Sequence, residues 1–463
     1  MRRLLLVIPV VAFGCSKSDK GTEKDTPKAV SAACAKAKVE GTMAWIEDDY
    51  PAALACAKEK NLPLVIDLWA PWCHTCLSMK ATVFTDASFK PDAEKFVFAA
   101  IDTDREVNAP VVQKFPLSAW PTFYVVGTDE SVLARWVGAA STSQFHAFLD
   151  AGADARDGVD GPGKHLLAAE RALATKTYDV AEKELTAALA AAPPDWVRRP
   201  DALLSLLSTI SRQKDDARCL TFAIENMGKT GSSSTAADFV ATALSCASNR
   251  EKEDAAGVTA LRTAAIARLE GLLAETGAPL SVDDRSDAMV ILRETYAAVG
   301  RKDDAKALAE KQRALIDEAA ARATSPMAAM TFNWQRAEVY VYLGRPLEVV
   351  PALEKSAADL PEEYDPPARL GWVYLKGGKL AEAATWTDRA LKLAYGPRKA
   401  RVLSQRAEIA NKQGDAAAEK KFRAEAVALW ESLPPGQASP DALAKAKEAL
   451  SKLDAPAPTA STN

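Results

Sequence analysis

The residues with the most chemistry in this 463-residue chain are two cysteines three positions apart, in the segment WAPWCHTC from Trp69 to Cys76. An almost unbroken apolar run, Leu62 to Trp69 (LPLVIDLW), precedes them and a helical pattern, Cys73 to Phe84, follows. The pair therefore stands where a strand gives way to a helix. At such a junction the first sulfur lies beside unpaired backbone N–H groups and the positive end of the helix dipole, both of which favour thiolate over thiol. Cys73 is expected to be the nucleophile that attacks a substrate disulfide. Cys76, one turn on and more buried, is expected to be the resolving thiol that breaks the mixed disulfide. A zinc site would need two further ligands, and the sequence has neither a second CxxC nor paired histidines. Covalent haem would need histidine after the second cysteine, where Leu77 stands. A permanently oxidised structural pair is the remaining alternative, because exported proteins keep disulfides. Asp67, six residues before Cys73, interrupts the apolar strand. A carboxylate buried there without a partner would have a raised pKa; the other reading is a strand-end aspartate that reaches water. His74 either lowers the pKa of Cys73 when protonated or points into solvent.

The elements that must position these groups occupy residues 34–153. Leu62–Trp69 and Phe96–Ile101 read as strands covered on both faces, and Thr122–Val126 with Val132–Val137 as a hairpin turning at Gly127, Thr128 and Asp129. Helical patterns fill Pro51–Lys60, Cys73–Phe84, Ala109–Phe115 and Ser143–Leu149. This is the plan of a compact α/β sheet domain.

Three stretches, IDLWAPWCHTC, the WPT of Trp120–Thr122 and WVGAASTSQFHAFLD from Trp136 to Asp150, are together similar to thioredoxin. The approach to them, Trp45 followed by a helix leading into NLPLVIDLWAPWC, resembles the C-terminal domain of DsbD-type thiol:disulfide interchange proteins. The resemblance runs from about Thr42 to Ala153. It implies a thioredoxin fold, thiol:disulfide exchange with protein thiols and no cofactor. It also implies that Asp67 is the buried acid assisting proton transfer at Cys76. Pro121 would be the cis-proline facing the disulfide, and Trp72, Trp120 and Pro121 would form the substrate surface. Trp120 is bulkier than its counterpart in thioredoxin, which leaves substrate preference open. Phe98 replaces a lysine that neighbours the buried acid in the family, so proton handling is expected to differ. Neither a reduction potential nor the direction of electron flow follows from these residues.

From Gly163 to Leu453 the sequence changes to alanine-rich amphipathic helices. Gly300, Gly344, Gly378 and Gly414 each close a helical pattern at intervals near the roughly 34 residues of a tetratricopeptide unit. The best copy, Asp365–Tyr395, places Leu370, Gly371, Tyr374, Ala383 and Ala390 at the small and aromatic positions. An all-α solenoid of tetratricopeptide-like helical hairpins is expected, with an irregular bundle as the alternative and a peptide or protein partner in its groove. This half shows no catalytic constellation, and its one histidine, His165, has no evident partner.

The start of the chain, MRRLLLVIPVVAFGC, has two arginines, an apolar run too short to span a bilayer, and Gly14–Cys15. It reads as a signal peptide (1–15) whose end resembles the lipobox of bacterial lipoproteins, with Cys15 lipidated; Ala12 and Phe13 depart from the preferred residues. Residues 16–33 read as a polar tether, with a reach of about 20 Å over fifteen residues. Asp454–Asn463 (DAPAPTASTN) reads as a disordered tail. With Cys15 set aside, six of the seven cysteines remain to pair. Cys219 and Cys246 lie at equal distances from the glycine and serine loop GKTGSSS, so an antiparallel helical hairpin would bring them to the same height. A structural disulfide is expected there, against the alternative of two buried free thiols; Cys34 and Cys56 could pair likewise. Fifty-eight basic against 62 acidic residues, without a dominant basic run, leave no support for a nucleic-acid partner. Together these readings suggest a lipid-anchored oxidoreductase of the cell envelope, periplasmic or on the outer membrane, that would need a separate membrane redox partner to act as a reductase. The competing reading is a non-catalytic scaffold whose two domains only bind peptides.

Overall fold

The computed structural model describes residues 32–454. Cys15, the signal peptide, nearly all of the tether and the tail beyond Asp454 lie outside the described residues; Asp454 itself ends helix Pro440–Asp454 rather than opening the tail.

The first domain is a six-stranded sheet in the order β1-β2-β4-β3-β5-β6. Its strands are β1 (Lys38–Glu40), β2 (Met43–Glu47), β3 (Leu64–Trp69), β4 (Val97–Asp102), β5 (Thr122–Val126) and β6 (Val132–Val137). Four helices accompany them: α1 (Tyr50–Lys60), α2 (His74–Ala81), α3 (Ala109–Lys114) and α4 (Thr142–Asp157). β3 is central, parallel to β4 and antiparallel to β5, and the pairing sets Asp67 opposite Ala100 and Phe123. Both faces of β3 are covered, which is why its sequence is continuously apolar apart from Asp67. One face packs Val65 into an aromatic layer with Trp45, Phe84, Phe98, Phe123 and Phe145. The opposite face packs Leu64, Ile66 and Leu68 against α1 and α3. β1 and β2 go beyond the sequence reading: β1 is exposed at all three residues and β2 is short, so neither carries a clear periodic signal. α4 continues past the expected boundary at Ala153 to Asp157, and the next helix begins at Gly161.

The second domain comprises sixteen helices among the described residues, in antiparallel tetratricopeptide-like hairpins that stack into an α-solenoid. Gly300, Gly344, Gly378 and Gly414 all take positive φ at hairpin turns, where only glycine is unstrained. Gly371 has a different role. A Cβ there would lie 2.2 Å from Thr387 Oγ1, so the missing side chain is what lets helix Asp365–Lys376 approach helix Leu380–Leu393. His165 does have a partner: its Nδ1 is 2.7 Å from Glu184 Oε2 on the next helix of the hairpin, a contact that periodicity does not reveal. Cys219 and Cys246 are disulfide-bonded, as are Cys34 and Cys56, with Cα separations of 6.2 and 4.9 Å.

The solenoid closes around the first domain. Contacts run from Glu170, which accepts the Arg135 N–H at 3.0 Å, through Ser281, bonded to Ser78 at 3.2 Å, to Gln437, which donates to the Thr103 carbonyl at 2.9 Å. Tyr395 donates to Asp102 at 2.5 Å between these. The first domain therefore touches the helical domain at points spread from Glu170 to Gln437.

Candidate functional site

Cys73 is the N-cap of α2, and its Sγ accepts the Cys76 N–H at 3.0 Å. Because β3 ends at Trp69 and the chain turns through Ala70–Trp72, the sulfur meets the unpaired N–H groups of the helix end. Cys73 and Cys76 are joined as a disulfide. Cys76 is the more buried of the two, as expected, but by a small margin: it is 2% exposed and Cys73 4%. Cys73 packs among Ala70, Cys76, Trp69, Trp72 and Trp120 of its own domain, and the helical domain lies over the surrounding elements. Helix Pro326–Met330 packs against α2, and Trp72 is enclosed by Tyr364, Ala368 and Ala394.

Asp67 is 2% exposed and its Oδ1 has no hydrogen-bond partner. Burial pushes its carboxyl up to about 7, with Lys80 pulling it down and Glu40 adding to the rise. Lys80 is a residue that sequence reading missed. It sits one turn beyond Cys76 on α2, its Nζ 3.7 Å from the centroid of the Trp69 ring and 3.6 Å from Glu40 Oε2. It supplies a cation near the buried acid from another element, while Phe98 fills its own position with aromatic packing against Trp45 at 5.2 Å. An i,i+4 relation to Cys76 is the only signal that would have singled out Lys80.

The Trp120–Pro121 bond is cis, and the Pro121 carbonyl accepts the Gly138 N–H at 2.9 Å. Trp120 donates to Thr103 Oγ1 at 2.8 Å and meets Trp72 edge-on at 5.0 Å. Trp72, expected on an open substrate surface, instead donates to Asp104 at 2.8 Å and lies under the Arg398 guanidinium at 5.6 Å. Burial, only partly offset by this Trp72 bond, holds the Asp104 carboxyl up at about 6. Trp120 and Pro121 thus remain together beside the disulfide, whereas Trp72 is committed to the helical domain.

His74 does not point into solvent. Its Nδ1 is 3.0 Å from Asp283 and 3.9 Å from Asp287, both on helix Val282–Ala298 of the second domain. Burial opposes its charge, but the two carboxylates outweigh that and hold the imidazole at about 10. These three side chains are the one group among the described residues whose donor atoms, all within 4.8 Å, could share a metal ion. The charge balance of an imidazolium between carboxylates already accounts for the arrangement. Asp283 and Asp287 lie more than 200 positions from His74, a distance no local pattern bridges.

Comparison with known proteins places this geometry. A thioredoxin-like family model matches residues 45–126. An H-type thioredoxin of Brassica oleracea is 37% identical over 93 residues, 20% of this chain and 71% of that protein. The chain belongs to the thioredoxin family. Membership rests on the first domain. Thioredoxin C-3 of Corynebacterium nephridii is 36% identical over 90 residues, 19% of this chain, and the chain spans 58% of that relative. Among solved structures, a tetratricopeptide repeat protein from Parabacteroides merdae aligns over 64% of this chain and 99% of its own at 15% identity, with a TM-score of 0.41. This thioredoxin-family domain thus carries its dithiol motif beneath a second domain of helical repeats.

Proposed function

We propose that the protein is an exported, lipid-anchored thiol:disulfide oxidoreductase of the cell envelope, with Cys73 and Cys76 as the redox pair. The observation that carries the proposal is Cys73 Sγ at the N-cap of α2, hydrogen-bonded to the Cys76 N–H, with Trp120 of the cis Trp120–Pro121 bond packed against the pair and an unpartnered Asp67 Oδ1 buried in the preceding strand. In the reducing direction the Cys73 thiolate attacks one sulfur of a substrate disulfide and expels the other as a thiolate. The Cys76 thiol, losing its proton towards Asp67, then attacks Cys73 Sγ and releases the second substrate sulfur. Two electrons pass from the dithiol to the substrate; a membrane redox partner would restore the dithiol. Oxidation of substrates is the reverse. Export is supported by the Cys34–Cys56 and Cys219–Cys246 disulfides, which persist in oxidising compartments. The anchor is supported by the Gly14–Cys15 sequence. Replacing Cys76 with serine is expected to trap mixed disulfides at Cys73 in envelope extracts. Partition of the wild-type protein, but not Cys15→Ser, into detergent would accompany the anchor.

One observation favours a non-catalytic scaffold: both sulfurs are nearly enclosed. The two readings separate on reduction. An oxidoreductase exposes a Cys73 thiol that a small alkylating agent modifies in the native protein, whereas a scaffold leaves both thiols protected and yields no trapped species.

A further inference from the structure

A cavity of about 670 Å³ lies between the two domains, within the range of small-ligand sites and too small for a folded protein. Its floor belongs to the first domain and includes Thr75 of the CxxC helix, Ala119 and Trp120 before the cis-proline, and Gly138. Its walls come from helix Val282–Ala298 and from helices Arg199–Arg212 and Ser234–Asn249, the last two contributing Ser205, Ser208 and Thr242 as hydrogen-bonding groups for a backbone. Asp238, Asp284 and Asp287 also line it. Asp284 is tied to the Ser281 hydroxyl at 2.8 Å, and Asp287 accepts from Gln335 at 2.8 Å. Asp238 is different. It is half-buried and its carboxylate has no hydrogen-bond or ion-pair partner among the described residues. Its Oδ2 lies 3.1 Å from where a Cβ on Gly138 would stand, directly above the backbone that pairs with Pro121. The cations nearby are engaged or remote. His74 is held by Asp283, Arg135 donates to the Tyr124 hydroxyl, Arg198 binds Glu170 and Asp201, and Lys176 and Arg212 stand exposed at the mouth.

Building on the proposed oxidoreductase function, we infer that this chamber is the substrate entrance and admits an extended peptide segment carrying lysine or arginine next to its cysteine, with Asp238 pairing the cation. A cation is the ligand group that relieves an unpaired carboxylate among other carboxylates. Burial, Asp287 and Asp284 push the Asp238 carboxyl up to about 7, so the preference for basic segments strengthens as pH rises from about 6 to about 8.

The test uses the full chain carrying Cys76→Ser and short peptides whose single cysteine is capped as a mixed disulfide with thionitrobenzoate. The cysteine is flanked by lysine, glutamine or glutamate. Attack by the Cys73 thiolate forms the protein–peptide disulfide, breaks the capping S–S bond and releases coloured thionitrobenzoate anion. Each rate is divided by that of the same peptide with 2-mercaptoethanol, which removes intrinsic reactivity. The lysine peptide is expected to react about tenfold faster than the glutamine peptide, the ratio that about 1.4 kcal/mol produces. The ratio should fall to about one in Asp238→Asn and persist in Asp238→Glu, with circular dichroism confirming that both variants fold. Equal normalised rates for the three peptides, or a lysine preference that survives Asp238→Asn, overturn the inference and leave the oxidoreductase reading standing. Release from none of the peptides by a reduced, titratable Cys73 overturns both.

Discussion

Replacing Asp67 with asparagine should stabilise the oxidised protein, and should do so increasingly as pH rises. The folded Asp67 carboxyl sits at about 7 and its ordinary value is 3.8. Between those values the folded state holds a proton that the unfolded state has released, so stability falls with rising pH, and the full penalty is present above about 7. At about 1.4 kcal/mol for each tenfold change in the proton equilibrium, the gap corresponds to about 4 kcal/mol. Asparagine keeps the shape and does not ionise. It leaves an amide in the apolar strand, which costs about 1–3 kcal/mol at every pH and offsets part of the gain. The discriminating quantity is therefore the pH dependence of the difference between variant and wild type. Urea unfolding at several pH values from 4 to 8.5 measures it, with all disulfides intact. The wild type should lose about 4 kcal/mol relative to the variant across that range, most of it between pH 4 and 7. A difference that stays constant with pH would refute the reasoning. It would mean that Asp67 is solvated or paired in the folded state and cannot exchange protons with Cys76 as proposed.

Removing the Cys219–Cys246 bridge by a double alanine substitution closes no loop in the unfolded chain; for a separation of 27 residues the loss is about 3–4 kcal/mol on the chain-entropy model, read by denaturant unfolding of the oxidised proteins. Unchanged stability would show that the bridge constrains nothing. Asp283→Asn should move the His74 titration, followed by NMR, down from about 10 toward the ordinary imidazole range. Because the folded pKa is raised, this pair stabilises the protein fully below about 6.5 and loses its effect as pH rises through about 10. The variant should accordingly loosen domain contact most at neutral and lower pH, seen as faster alkylation of reduced Cys73. A His74 titration that does not move would remove Asp283 from this role.

The redox motif was legible because its chemistry is local. Cys73 and Cys76 are separated by less than one helical turn, the helix end that activates Cys73 is encoded beside them, and the apolar run through Asp67 marks a strand covered on both faces. The hairpin of β5 and β6 and the tetratricopeptide-like units were legible for the same reason, since a period of 2 or of 3.6 and a glycine at each turn are properties of neighbouring residues. The Cys219–Cys246 height match also followed from counting residues to a loop, although the rotation that turns the two sulfurs together belongs to the packed hairpin. β1 escaped notice because an exposed edge strand needs no apolar alternation, and β2 because five residues are too few to set a clear period.

The tertiary structure alone decided how the motif is enclosed. The commitment of Trp72 to Asp104 and Arg398, the ion pair of His74 with Asp283 and the unpartnered Asp238 above Gly138 all come from residues far apart in sequence. Sequence periodicity reports which face of each helix is buried, but not what lies against that face. The curvature of a solenoid accumulates from small rotations between successive hairpins, and the identity of the surface it closes upon depends on their sum. Local pattern thus fixed the chemistry available at Cys73 and Cys76, while long-range packing decided which molecules can reach it.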